Sequence, residues 1–170
     1  MVDVLEPCPE AAATYAYVWP TERLSEMEPL VPAGVTLRPQ RGSDLWERME
    51  RCFDELLETH DRVVLRNTDS PDLPADVVAA AIQAATKGKV VLGPDPGGGY
   101  YLIGLHAGTA EAARRALFGV AAEGGDTVWE ATLAAATAAG LEVVVLGMHR
   151  DVDRIDDLLA LWRARGGMDD

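Results

Sequence analysis

Short apolar runs alternate with amphipathic segments along the whole chain, and this alternation limits what the chain can fold into. Strand-like runs separated by helical patterns are typical of a layered α/β domain with a mostly parallel sheet. The pattern predicts strands over residues 14–19, 35–38, 62–66, 90–92, 100–105 and 141–146, and helices over residues 44–58, 75–86, 127–139 and 155–163. A length of 170 residues fits a single domain, which we expect to span residues 1–170.

The composition excludes several classes of partner. A net charge of −13 argues against nucleic acid and anionic membranes, because both require a positive surface. No apolar run reaches the length of a membrane span, and the first residues lack a signal-peptide pattern. Cys8 and Cys52 have no metal-type spacing and are expected to be free thiols, which favours the cytoplasm. We expect His60, His106 and His149 to be structural or exposed.

Residues 63–74 form an apolar strand that runs into a turn with two carboxylates and two prolines. In open α/β sheets, ligands bind beyond the carboxyl ends of the strands, which is where Asp69 is expected to lie. A carboxylate there can hold Mg²⁺, which takes one or two carboxylates together with water and substrate phosphates. Asp69 is not needed as a helix cap, whereas we expect Asp72 to cap the next helix, with Pro74 in its first turn.

A second acidic cluster, residues 151–157, follows the last predicted strand and opens the last predicted helix. If that strand lies near the strand that ends at Asp69, either Asp151 or Asp153 could complete a two-carboxylate metal site. The alternative is that Asp153 is a simple N-cap. Acidic residues in a first helical turn are favoured by the helix dipole alone.

Two further segments could contact an anion. Asp95 precedes the three glycines Gly97, Gly98 and Gly99, whose backbone could approach a ligand closely or could form a wide turn or bulge. Residues 41–44 precede the clearest helix, where amide groups bind anions readily, although a loop arginine is more often solvated. Asp44 and the acid three residues later also form a capping-box pattern.

Four motifs occur in an order that resembles one protein family. They are Arg38-Pro-Gln-Arg-Gly-Ser-Asp-Leu-Trp-Glu-Arg-Met49, Asn67-Thr-Asp-Ser-Pro-Asp-Leu-Pro74, Val91-Leu-Gly-Pro with Gly98-Gly-Tyr-Tyr-Leu-Ile-Gly-Leu105, and Asp151-Val-Asp with Asp157-Leu158. Together they resemble the bacterial glycosyltransferase-A-like family of radical-SAM/selenodomain-associated transferases. That family is similar to phospholactate guanylyltransferase, the molybdenum-cofactor nucleotidyltransferase and the sugar-acid cytidylyltransferases.

The resemblance implies a three-layer nucleotide-diphospho-sugar-transferase fold of the GT-A, Rossmann-like type. It also implies Mg²⁺ or Mn²⁺ and transfer of a nucleotidyl or glycosyl group from a nucleotide or nucleotide-sugar donor to a small-molecule acceptor. Asp69 matches the family's metal-binding aspartate and is the catalytic candidate. Asp153 matches the aspartate that supplies the second metal contact in related cytidylyltransferases.

The resemblance also assigns the two anion-binding candidates. The turn Arg41, Gly42, Ser43 and Asp44 matches a segment that approaches the nucleotide base in relatives. Gly98 and Gly99 match the family's acceptor side. The acidic residue that usually precedes them is Gly97 here, so Asp95 is the nearby carboxylate that remains for the acceptor.

One departure from the family pattern leaves the activity open. Family members begin with a strand and a glycine-rich, basic loop that wraps the nucleotide phosphates, and residues 1–13 cannot contain these. We therefore expect a fold truncated at the amino terminus. The alternative function is a non-catalytic binding or partner subunit that has lost nucleotide turnover. Because a shortened sheet exposes an edge, a homodimer or a partner chain that covers this edge is also expected.

Overall fold

The computed structural model describes residues 7–119, 128–164 and 166. The strands are Thr14–Val18 (β1), Val35–Pro39 (β2), Arg62–Arg66 (β3), Lys89–Pro94 (β4), Tyr100–His106 (β5) and Glu142–Val145 (β6). The helices are Leu24–Met27 (α1), Leu45–Leu57 (α2), Ala75–Ala84 (α3), Glu111–Phe118 (α4), Val128–Ala138 (α5) and Ile155–Ala164 (α6). In the part of the chain that is described, none of these helices has the length and apolar character needed to cross a membrane.

The strands form two sheets, and the α/β fold class is confirmed. β1 and β2 pair in parallel as a two-stranded sheet, and the other four strands form a sheet in the order β3-β5-β4-β6. β5 is antiparallel to both neighbours, whereas β4 and β6 are parallel. Three strands of the larger sheet, β3, β4 and β6, therefore run in one direction and end at the same edge.

Helices cover both faces of the four-stranded sheet, as a three-layer fold requires. On one face, α2, α4 and α5 bury side chains against alternate strand residues such as Val90 and Leu92. On the other face, α3 packs small side chains against Val91 and Leu102. Strands buried on both faces read as continuous apolar runs, because successive side chains point to opposite layers.

Helix α2 begins with the predicted capping box. The Asp44 carboxylate accepts a hydrogen bond from the Glu47 amide at 2.9 Å. The Glu47 carboxylate in turn accepts from the amide and the hydroxyl of Ser43, each at 2.7 Å. The Ser43 amide, its hydroxyl and Arg51 lower the pKa of Glu47 from 4.5 to about 2.

The structure corrects two expectations about helices. Helix α4 was not predicted, because its short sequence begins without a side-chain cap at Ala110. Asp72 does not cap α3: that helix begins after Pro74 without a side-chain cap, and the Asp72 carboxylate bonds to His149 instead. The expectation that α5 begins at position 127 falls outside the described residues.

A glycine in β4 makes room for a buried tyrosine of β5. Tyr101 is 1% exposed, and a methyl group added at Gly93 would lie 2.7 Å from its Cε1 atom. The ladder between β4 and β5 is irregular between Gly93 and Pro94. The ring of Tyr101 therefore crosses β4 at the one position where that strand carries no side chain.

We predict that Gly93→Ala destabilises the fold by about 1–3 kcal/mol, because the added methyl group overpacks a buried ring that has no room to move. Chemical denaturation of the purified variant measures this loss. Gly147→Ala is the matched control, since no atom lies within 4 Å of a methyl group at that position. Equal stabilities of the two variants would contradict the close packing at Gly93.

A second prediction concerns the pH dependence that Glu47 confers. Because folding lowers its pKa, the Glu47 carboxylate stabilises the folded chain above pH 4.5, and this contribution is lost as the pH falls towards about 2. Urea denaturation of the wild type and Glu47→Gln should therefore show a stability difference at pH 7 that narrows steadily below about pH 4.5. A difference that stays constant down to about pH 3 would show that the capping contacts do not favour the ionised form.

Candidate functional site

Three carboxylates meet beyond the carboxyl ends of two parallel strands. Asp69 follows β3, whereas Asp151 and Asp153 follow β6. One carboxylate oxygen from each of the three lies within 4.8 Å of the other two. The structure thus brings together Asp69 and Asp153, the predicted pair, and adds Asp151, which the sequence left as an alternative to Asp153.

The cluster lacks a positive partner among the residues that the structure describes. No lysine, arginine or histidine there forms an ion pair with any of the three carboxylates. Burial raises the pKa of Asp151, and the negative charges of Asp153, Asp95 and Asp69 raise it further. Closely spaced oxygen ligands without a countercharge suit a hard divalent cation such as Mg²⁺ or Mn²⁺.

The N-cap alternative for Asp153 is not supported by the start of helix α6. The Arg154 amide donates to the Asp157 carboxylate at 3.0 Å, and Arg150 also donates to Asp157. Asp157 therefore satisfies the amide at this helix terminus. The Asp153 side chain is left exposed beside the other two acids.

Direct contacts join the two loops that carry the cluster. The Val152 amide donates to the Asp69 carbonyl oxygen at 2.8 Å. The His149 Nε2 atom lies 3.0 Å from the Asp72 Oδ1 atom. Sequence reasoning had treated His149 as structural or exposed and gave no signal for this contact, because its partner lies 77 positions away in the chain.

The glycine-rich segment adopts the turn alternative. The Gly97 amide donates to Asp95 Oδ1 at 2.6 Å, and the Asp95 amide donates to the Gly99 carbonyl oxygen at 3.2 Å. Gly98 has a φ of 87°, a conformation that favours glycine. The Gly97 amide is thus occupied by Asp95, and Asp95 itself lies close enough to affect the pKa of Asp151.

Residues 41–44 lie elsewhere. Ser43 and Asp44 make the capping contacts of α2, and Arg41 lines a small surface cavity with Arg48 and Arg51. None of the four lines the large cavity that Asp69 and Asp95 share. Their predicted contact with a nucleotide remains a prediction that this arrangement does not bring closer.

The large cavity lies between the two sheets. Its volume is about 1780 Å³, and Asp69, Asp95 and Gly99 lie on its wall. All five residues of β1 and all five of β3 line it, whereas β2 contributes only Val35 and Leu37. Alternate residues line a cavity when a strand shows one face, so lining by every residue indicates open strand edges. Among the described strands, β1 pairs only with β2, and β3 pairs only with β5.

Solved structures with the same architecture include two kinds of enzyme by name. A protein from Desulfovibrio desulfuricans G20, provisionally named a nucleotide-diphospho-sugar transferase, is 28% identical, with a TM-score of 0.79 over 96% of this chain and 71% of that chain. A 4-diphosphocytidyl-2C-methyl-D-erythritol synthase is 14% identical, with a TM-score of 0.65 over 93% of this chain and 83% of its own.

A third structure extends the same likeness. The 2-C-methyl-D-erythritol 4-phosphate cytidylyltransferase from Thermus thermophilus is 17% identical, with a TM-score of 0.58 over 91% of this chain and 83% of its own. At 14% and 17% identity, the two cytidylyl enzymes show the shared fold alone. The fold is therefore that of the nucleotide-diphospho-sugar transferases.

The sequence comparisons give the family. No protein with a curated description matches the chain. The family model described as "Uncharacterized protein conserved in bacteria (DUF2064)" matches residues 4–125, which is more than half of the chain. The chain therefore belongs to the DUF2064 family.

Proposed function

We propose that this chain is a metal-dependent nucleotidyl- or glycosyltransferase that uses a nucleotide or nucleotide-sugar donor and a small-molecule acceptor. The observation that carries the proposal is the cluster of Asp69, Asp151 and Asp153 beyond the ends of parallel strands. Ligands of open α/β sheets bind at this edge. The likeness to a named nucleotide-diphospho-sugar transferase supports the donor class.

Each carboxylate has a part in the proposed reaction. Asp69 and Asp153, with Asp151 beside them, would hold Mg²⁺ or Mn²⁺ through their oxygens. When bound, the cation supplies positive charge that stabilises the developing negative charge on the transferring group. Asp69 belongs to both the cluster and the cavity wall, so a donor phosphate in the cavity would lie beside the carboxylates.

The cavity offers contacts for both substrates. Arg66, at the end of β3, lies on the same wall as Asp69 and adds positive charge there. Asp95 and Gly99 lie on the wall where the acceptor is proposed to bind. An acceptor hydroxyl that donates to the Asp95 carboxylate would be oriented by a group that Gly97 already holds in place.

The open strand edges favour the second candidate function, a binding or partner subunit without turnover. Backbone groups along β1 and β3 face the cavity without a strand partner among the described residues. Such edges pair readily with another chain. A homodimer or a partner chain that covers them is therefore part of the proposal, and it is compatible with either function.

The test of the transferase proposal is a thermal-shift panel of nucleoside triphosphates and nucleotide sugars, with and without Mg²⁺ or Mn²⁺. We expect one nucleotide to stabilise the wild type in the presence of metal. A ligand at 100 times its Kd contributes about 2.7 kcal/mol, which corresponds to a shift of about 5–10 °C for a chain of this size. Asp69→Ala should abolish this shift.

The matched control is Asp76→Ala, which removes one exposed carboxylate from the first turn of α3, outside the cluster. It should keep the metal-dependent shift, because only the local helix-dipole contribution is lost. If Asp69→Ala binds the nucleotide as tightly as the wild type with metal present, Asp69 is not part of the site. If no nucleotide shifts the wild type, the non-catalytic function is favoured.

Association is tested separately by light scattering after size exclusion, over a wide range of protein concentration. We expect a mass above that of one chain, together with slow hydrogen exchange at the amides of β1 and β3, because paired edge amides are protected. A monomeric mass at high concentration would contradict the homodimer. Fast exchange of both strands in that monomer would leave a partner chain as the only way to cover the edges.

A further inference from the structure

The loop between β6 and α6 carries two of the three clustered carboxylates, Asp151 and Asp153. It has no regular secondary structure, and Gly147, Met148 and Arg150 are exposed within it. Hydrophobic packing therefore does little to fix its position. A surface loop that must hold side chains in a defined geometry needs specific hydrogen bonds from rigid elements.

The first such contact comes from Tyr101 on β5. Its hydroxyl donates to the Gly147 carbonyl oxygen at 2.9 Å. In the sheet order, β4 lies between β5 and β6, so the tyrosine must cross β4 to reach this loop. It does so at Gly93, where any side chain would overlap the ring.

The second contact comes from His149 inside the loop. Its Nε2 atom lies 3.0 Å from Asp72 Oδ1, in the loop that carries Asp69. The His149 ring also lies edge-on to the Tyr101 ring, with centroids 5.6 Å apart. The His149 amide donates to the Pro94 carbonyl oxygen at 3.1 Å, which extends the pairing of β6 with β4.

These contacts converge on the cluster. Gly147 and His149 are fixed a few residues before Asp151 and Asp153, and the Val152 amide between those acids donates to the Asp69 carbonyl oxygen. Three like charges repel one another, so loops without these contacts would separate them. A preformed cluster, in contrast, keeps all three oxygens within 4.8 Å before a cation arrives.

We propose that Tyr101 and His149 are positioning residues for a divalent cation, because together they hold the loop of Asp151 and Asp153 against the loop of Asp69. The inference rests on the proposed function, since it requires that the three carboxylates bind a cation. Neither residue touches the cation. Each acts through the loop backbone or through Asp72.

The test is Mn²⁺ binding to the full chain, followed by electron paramagnetic resonance, which measures the free ion. Tyr101→Phe keeps the ring and removes only the hydroxyl, and His149→Ala removes the bond to Asp72. We expect each to weaken Mn²⁺ affinity by about 10-fold, as is typical for residues that orient metal ligands. Thermal unfolding without metal checks that each variant is folded.

Three further variants separate positioning from other effects. Tyr100→Phe is the matched control on the same strand, because the Tyr100 hydroxyl has no hydrogen-bond partner among the described residues; it should bind Mn²⁺ like the wild type. His149→Gln keeps a neutral donor near the Nε2 position and should recover most of the affinity, which excludes an effect of histidine charge. In an Asp72→Ala background, His149→Ala should cause no further loss, since their shared contact is already gone.

The outcomes distinguish this inference from the proposed function. If the wild type binds Mn²⁺ through Asp69 but Tyr101→Phe and His149→Ala bind it equally well, the positioning inference is overturned and the metal site stands. If the wild type does not bind Mn²⁺, or Asp69→Ala binds it equally well, both are overturned. Should His149→Ala fail to fold, Tyr101→Phe decides, because it preserves the buried ring.

Discussion

β5 lies between β3 and β4 and runs against both, which leaves β3, β4 and β6 running in one direction. The candidate site depends on this arrangement. The loops that follow these three strands leave the sheet at one edge, and each carries at least one carboxylate: Asp69 after β3, Asp95 after β4, and Asp151 with Asp153 after β6. If β6 ran the other way, its two acids would lie at the opposite end of the sheet.

Bringing these acids together has an electrostatic cost that the described residues do not offset with a positive charge. The protein carries a net charge of −13, and neighbouring carboxylates together with burial raise the pKa of Asp151. Hydrogen bonds from Val152 and Tyr101 oppose this repulsion locally. Stored repulsion of this kind is relieved when a divalent cation binds, which couples metal affinity to how firmly the loops are held.

The division of the strands into two sheets is the other feature that shapes the cavity. Strands of one continuous sheet would be packed about 5 Å apart and would leave no space between them. Here the cavity reaches both edges, and its wall includes Asp69. A strand that closed the sheets would therefore border the candidate site, so association and ligand binding are expected to influence each other.

Much of the fold followed from local sequence. The strand at residues 62–66 and the start of α2 at Asp44 were predicted where the structure has them, because apolar periodicity and capping are local properties. Helix α4 was missed, since its short sequence has no capping side chain at Ala110. The single-domain prediction and the truncation at the amino terminus remain predictions.

The sequence by itself determined which acids follow strands, because the polarity of a strand and its turn is written in neighbouring residues. It singled out Asp69 and left Asp151 and Asp153 as alternatives. Only the tertiary structure decided that all three meet, that Asp72 bonds to His149 rather than capping α3, and that Tyr101 reaches Gly147 across Gly93. These contacts join residues far apart in the chain, and their geometry is set by strand order, which local patterns do not encode.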